Sequence, residues 1–272
     1  MSGTPTLIDR ATLNKRRAHA KTADLFLHQA ALDEVQDRLS IINKTFTDIA
    51  IVTPFPDIWA ASFPNAVCVP DDDTLELHPS SFDLVVHGMA LHWSNDPVGQ
   101  LIQCRRALRP DGLCLAICLG GQTLTELRAT LSQAEIAQTN GLSPRILPMP
   151  EIRDLGALLQ RAGFALPVAD NAILTAEYRD MFHLMRDLRA MAETNALEDR
   201  LRHPTRRSVF AQAAALYETH YSNGHGKVTA SFEVISLTGW APADSQPKPL
   251  RPGSAQARLA DALNTNETKL PD

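Results

Sequence analysis

The stretch that most limits what this chain can fold into runs from Ser81 to Leu119, SFDLVVHGMALHWSNDPVGQLIQCRRALRPDGLCLAICL. Phe82 to His87 is an apolar run bounded by polar residues and Gly88, the pattern of a strand buried on both faces. Asn95-Asp96-Pro97 signals a helix start, and Leu101, Ile102 and Leu108 supply an apolar side. Arg109-Pro110-Asp111-Gly112 reads as a turn, since proline presets φ and glycine accepts a positive one. Leu113 to Leu119 is a second buried strand. Strand, helix, turn and strand make a βαβ unit, and that unit requires a parallel sheet.

The remaining elements follow from periodicity and breakers. Ala23 to Ile42 is near a helical period, Asp48 to Val52 is the natural first strand, and Thr53-Pro54-Phe55-Pro56 breaks it. Ala66 to Val69 is a short strand before Asp71-Asp72-Asp73. After Leu119, helices are expected over Thr123 to Gln138, Glu151 to Arg161 (stopped by Gly163), Met181 to Glu193 and Ser208 to Tyr221. Phe164 to Tyr178 reads as a strand, and Gly226 to Gly239 alternates as an antiparallel strand does. Met181, Met185 and Met191, with Leu184 and Leu188, recur at helical spacing and read as core. The expected organisation is an N-terminal helical segment (1–45), a main domain (46–240) with a helical and antiparallel extension from about residue 140, and a mobile tail (241–272) rich in Pro, Ser, Gln and Asn.

Composition narrows the function classes. A net charge of −5 over 272 residues argues against a general nucleic-acid binder. No apolar run reaches the length of a membrane span. Cys68, Cys104, Cys114 and Cys118 lack paired metal-ligand spacing and read as reduced thiols of a cytoplasmic protein. His220 and His225 have no matching third ligand, so no metal site is assigned. Arg10, Lys15, Arg16 and Arg17 form a basic N-terminal helix, read as solvated and able to fold over the sheet. There is no G-x-S-x-G elbow, H-E-x-x-H pair or P-loop lysine.

FDLVV, LHW-x-ND, LRPDG and the apolar strand after it together resemble the second half of a class I S-adenosylmethionine-dependent methyltransferase. Leu91-His92-Trp93, the Gly120-Gly121-Gln122-Thr123-Leu124 run with Glu126-Leu127-Arg128, and Leu184 to Leu197 are similar to one branch. That branch holds relatives of the mitochondrial complex I assembly factor 5 and lies near the malonyl-carrier-protein methyltransferase of biotin synthesis. The start Ile8-Asp9-Arg10 is similar to the mature start of that family. The resemblance implies an α/β fold, a Rossmann-like, mostly parallel sheet with flanking helices. It implies S-adenosylmethionine as cofactor and methyl transfer to a small-molecule or protein acceptor; for the assembly-factor branch it implies work on a respiratory complex I subunit.

One part departs from the family. The first strand should end in a glycine-rich DxGxGxG turn, because the backbone turns tightly there and the cofactor comes close. Laying DIAIV on that strand puts Thr53, Phe55 and Asp57 at the glycine positions, while Pro54 and Pro56 remove backbone donors. From Ile49 to Val69 there are 21 residues where the family has two crossovers, and one βαβ unit takes about 30. The sheet is therefore expected to be shortened at its first crossovers. No acid stands out for the ribose hydroxyls; Asp71, counted back from Phe82-Asp83, aligns with the family acid that contacts the adenine, or the three-Asp loop is a solvated turn.

The resemblance places cofactor contacts at Asp71, Asp72, Gly88, Leu91 and His92, and the substrate mouth at His92 and Trp93. For the last two, the other reading is that Trp93 packs the loop and His92 hydrogen-bonds a backbone carbonyl. Gly120, Gly121 and Thr123 stand where a ligand or partner could approach, or form an ordinary strand-to-helix turn; Arg145 is an anion contact or a solvated side chain. Asn195 and Tyr221 are further polar candidates. Two functions follow: a methyltransferase with a drifted cofactor loop, or a non-catalytic binding or assembly relative. Phe55 or Trp59 in the cofactor cleft would speak against the first, and an open cleft reaching Asp71 would speak for it.

Overall fold

Alternation along the buried strands sorts their side chains to two faces, and both faces are covered. Ile51, Leu84, Val86, Leu113, Leu115 and Ile117 pack into one apolar cluster, while Ala50, Val52, Val85, Cys114 and Ala116 enter another. The computed structural model describes residues 6–247. Its six-stranded sheet has the order β2-β1-β3-β4-β6-β5, with β1 Ile49–Val52, β2 Val67–Val69, β3 Phe82–Gly88, β4 Leu108–Leu119, β5 Ala165–Tyr178 and β6 Val228–Trp240. Strands β1 to β4 run parallel, and β6 lies antiparallel between β4 and β5. The α/β fold with a mostly parallel, Rossmann-like first half agrees with the sequence reading.

The helices are α1 Arg10–Arg17, α2 Phe26–Ile41, α3 Pro56–Ala60, α4 Pro97–Ala107, α5 Thr125–Thr139, α6 Ile152–Arg161, α7 Met181–Ala190 and α8 Arg207–Tyr221. Asp96 caps α4 by accepting from the Gly99 N–H at 2.8 Å, with Pro97 in its first turn. Leu155 and Leu159 of α6 join the face with α4, whereas residues of α2, α5, α7 and α8 join the opposite cluster. Met181 and Met191 are buried in that opposite cluster, the one with Ile51 and Leu84, as core residues should be.

Arg109-Pro110-Asp111-Gly112 is not a free turn. It bulges out of β4, so that the pairing steps from Phe82 with Leu108 to Leu84 with Leu113. Asp111, rather than Gly112, takes the left-handed conformation (φ 61°), and Ala241 exchanges backbone hydrogen bonds with Asp111 and Gly112. At the other edge, β1 pairs directly with β2 through a short crossover that holds only the five-residue α3. One crossover stands where the family has two. Asp71 therefore follows the strand that pairs with β1. The described residues to Pro242 form one compact unit; most of the stretch expected to be a mobile tail lies outside the described residues.

Candidate functional site

Parallel strands end together, so the carboxyl ends of β1, β2, β3 and β4 bring distant loops into one neighbourhood. After β1, Thr53 is buried, and its N–H still donates to the Val69 carbonyl at 2.9 Å. The chain then bends at Pro54 and enters α3 at Pro56, where proline suits the first turn. That bend carries Phe55 onto the ring of His28, 4.7 Å away edge-on. It also buries the whole indole of Trp59. A Cβ placed on Gly88 would sit 2.4 Å from Trp59 Cζ2. Gly88 is thus the one place in β3 where no side chain fits, because this indole takes the space.

Asp71, at the end of β2, is buried and accepts ion-paired hydrogen bonds on both oxygens. Arg17 reaches Oδ1 at 2.8 Å and Oδ2 at 3.0 Å, and Arg10 reaches Oδ2 at 2.9 Å. Burial alone would raise the Asp71 pKa, but the two guanidinium groups override it and hold the carboxyl at about 2. Arg10 also donates to the Asp71 carbonyl at 2.8 Å. Helix α1 is therefore not the solvated basic helix that its composition suggests, since two of its cations point inward as counter-ions. Their positions, seven residues apart, place them on one helical face. Gln100 completes the clasp, accepting from His87 Nε2 at 2.9 Å and donating to the Asp71 and Asp72 carbonyls at 3.0 Å each. The Asp72 side chain is mostly exposed.

After Gly88, Met89 adopts a left-handed backbone (φ 56°) and turns the chain into the 3-10 turn Leu91–Trp93. Leu91 drops into the face shared with α4 rather than toward the cleft. His92 Nδ1 accepts from the Leu119 N–H at 3.4 Å, which leaves Nε2–H to face Glu193 at 3.4 Å. Trp93 Nε1 donates to the same Glu193 oxygen at 3.0 Å. Burial disfavours the Glu193 charge, but His92, His28 and Arg17 outweigh it and its pKa is lowered. Glu193 is a functional candidate that sequence reasoning misses. Its place in a run that reads as helix carries no sign that it stands beyond the end of α7.

Beside Trp93 a cavity of about 690 Å³ opens between α1, α5, α7, α8 and the 145–149 loop. Leu27, Leu119 and Phe232 form buried parts of its wall, and Lys15, Arg16 and Arg189 also line it. Asn195 and Met185 belong to this cavity as well; Tyr221 does not line it. Arg145 borders it but is not a free anion contact. It holds Glu135 through two nitrogens (2.9 and 2.5 Å) and Thr205 at 2.9 Å. Gly120, Gly121 and Thr123 do not line it. A Cβ on Gly120 would meet Ile235 and Glu233 at 2.4 and 2.5 Å, while one on Gly121 would lie 3.3 Å from the Met149 carbonyl. Thr123 Oγ1 accepts from the Glu233 N–H at 3.0 Å. Gly120 and Thr123 lock β6 to the turn before α5, and Gly121 ties that turn to the Met149–Pro150 segment. Among the described residues no group of three His, Cys, Asp or Glu is arranged for a metal ion, and no helix is long and apolar enough to cross a membrane.

Comparison with known proteins agrees with the sheet. Residues 44–116 match the model of a methyltransferase domain. The zebrafish (Danio rerio) protein named arginine-hydroxylase NDUFAF5, mitochondrial, is 37% identical over 74% of this chain and 62% of its own length. The Homo sapiens protein of that name is 37% identical over 76% of this chain and 60% of its own. The malonyl-[acyl-carrier protein] O-methyltransferase of Xylella fastidiosa (strain M23) is 39% identical over 66% and 58%. The chain thus spans about three fifths of the length of these relatives. With the strand order, the βαβ unit and these relatives in agreement, the chain belongs to the class I S-adenosylmethionine-dependent methyltransferase superfamily, in the branch shared by these two groups.

Proposed function

We propose that this chain is a non-catalytic member of its superfamily, a binding or assembly factor whose cofactor cleft is taken up by its own side chains. The observation that carries the reading is Trp59, fully buried with its ring against Gly88. In the family, backbone glycines leave room there for the methionine and nucleoside of the cofactor; here Thr53, Phe55 and Asp57 stand in their place. The residues at this site do not fit the cofactor. Both oxygens of Asp71 are already engaged by arginines, and turning them to a ligand would leave the buried Arg17 without its counter-ion. On the kinship with proteins named arginine-hydroxylase NDUFAF5, a respiratory complex I subunit is the protein partner we propose.

Methyl transfer is the second reading. Glu193, His92 and Trp93 form a polar group next to a cavity able to hold an acceptor, and relatives named for catalysis share more than a third of the aligned residues. Calorimetric titration with S-adenosylmethionine, and separately with S-adenosylhomocysteine, decides between the two. The non-catalytic reading expects no heat at millimolar ligand from protein shown to be folded by circular dichroism. Micromolar binding of either ligand would overturn it.

A further inference from the structure

The cavity beside Trp93 has a graded lining. Its deep wall is aliphatic and aromatic: Leu27, Leu119, Phe232 and Trp93 are almost wholly buried. At its rim Lys15 and Arg189 are exposed, and among the described residues neither side chain has a hydrogen-bond or ion-pair partner. Arg16, half-buried between them, donates only to the carbonyls of Thr194 (3.1 Å) and Asn195 (2.5 Å), with no carboxylate in ion-pair range. In a chain of net charge −5 this is a local concentration of positive charge at the rim. The ionised Glu193 stands in the inner wall, tied to Trp93 and His92. An anion is attracted to the rim and repelled from the interior, while an apolar chain gains by entering. The volume lies within the roughly 300–1,000 Å³ of small-molecule sites.

We propose that this cavity binds an amphipathic anion, a single aliphatic chain lying on the Leu27, Leu119 and Phe232 wall with its carboxylate or phosphate head between Lys15, Arg16 and Arg189. The site goes beyond the closed cofactor cleft and does not depend on it, since among the described residues none of the groups it uses is hydrogen-bonded or ion-paired to Asp71 or Trp59.

The test is calorimetric titration of the full chain, without cofactor, with decanoate, decyl phosphate, decanol and decylamine. Decanoate or decyl phosphate should bind on the order of tenfold or more tightly than decanol, with decylamine weakest, and high salt should erode that margin. Comparing the two anions separates a carboxylate head from a phosphate head. The Lys15→Gln/Arg189→Gln double variant changes only exposed side chains, so it should fold as the parent does. Its affinity for the anions should fall on the order of tenfold while decanol is unchanged. Decylamine or decanol binding as tightly as the anions, an unaltered double variant, or no binding of any of the four would overturn the proposal. Because S-adenosylmethionine is absent throughout, failure here leaves the reading of the cofactor cleft untouched.

Discussion

The space at the ends of β1 and β3 and the space beside Trp93 lie in the same fold, are bordered by the same Leu91–Trp93 turn, and have opposite contents. In the first, Trp59 presses on Gly88, Phe55 on His28, and two arginines hold one aspartate. In the second, apolar walls stand apart and, among the described residues, Lys15, Arg16 and Arg189 have no ion-pair partner. The difference traces to chain length and to one turn. A crossover that holds only five helical residues pulls Trp59 back over the strand ends, whereas the segment after β4 retains a full helix, α5, and a long loop. A shortened connection closes one site, and a long one leaves the other open.

The sharpest way to break this comparison is to shorten a side chain on each side. Trp59→Ala should cost about 3–5 kcal/mol of folding stability, the range for truncating a buried large aromatic. Met185→Ala, at a half-buried position that lines the cavity, should cost about 2 kcal/mol or less, because less packing is lost. Urea denaturation of both variants measures the gap. Equal losses would mean that Trp59 is no more tightly packed than a cavity wall, and the closed cleft would have to be given up.

Next in size is the clasp on Asp71. Removing one partner from a buried ion pair costs about 3–5 kcal/mol when the other charge stays buried. Asp71→Asn keeps the shape and removes the charge, so about 3 kcal/mol is expected. The pH dependence adds a signature. The folded-state pKa is depressed to about 2 from an ordinary 3.8, so the unfolded chain takes up the proton first as pH falls. The stabilisation is complete above about pH 4 and is lost as pH falls toward about 2. Thermal melts between pH 5 and pH 2.5 should show a steeper decline for the parent than for Asp71→Asn. Parallel curves would show that the arginines do not depend on this carboxylate.

What the amino-acid sequence discloses of this fold and site depends on whether the signal is local. The βαβ unit from Phe82 to Leu119 is legible because burial on both faces makes parallel strands into apolar runs. The missing glycines after β1 are legible residue by residue. The partnership of Arg10 and Arg17 with Asp71 is not. It joins residues more than fifty apart, and a basic helix with one exposed face has the same composition as one that turns two cations inward. The Arg109–Gly112 run shows the reverse error: its residues do make a local reversal, but the strand continues around it as a bulge. Gly120 and Gly121 suggest room for a ligand, whereas the room is used by Ile235, Glu233 and the Met149 carbonyl. Glycine marks close approach and does not say of what.

The smallest effect tests whether the closed cleft is well filled as well as full. His28 is buried with neither ring nitrogen hydrogen-bonded, and Trp59 Nε1 is likewise without a partner. Burial pulls the His28 pKa down to about 4 from 6.5, so its neutral form belongs to the folded state. The unfolded chain binds the proton first, and His28 favours unfolding increasingly as pH falls from about 6.5 toward 4. His28→Leu removes two unsatisfied polar atoms and keeps an apolar partner for Phe55. It should therefore raise stability by about 1 kcal/mol at neutral pH, the low end of what an unpaired buried polar group costs. It should also flatten the stability profile between pH 6.5 and 4. Denaturation midpoints of parent and variant at pH 7 and pH 5 measure both effects, and the gap between them should widen at pH 5. A variant less stable than the parent at both values would mean that His28 makes a favourable contact, and that this side of the molecule is a polar site instead of an apolar plug.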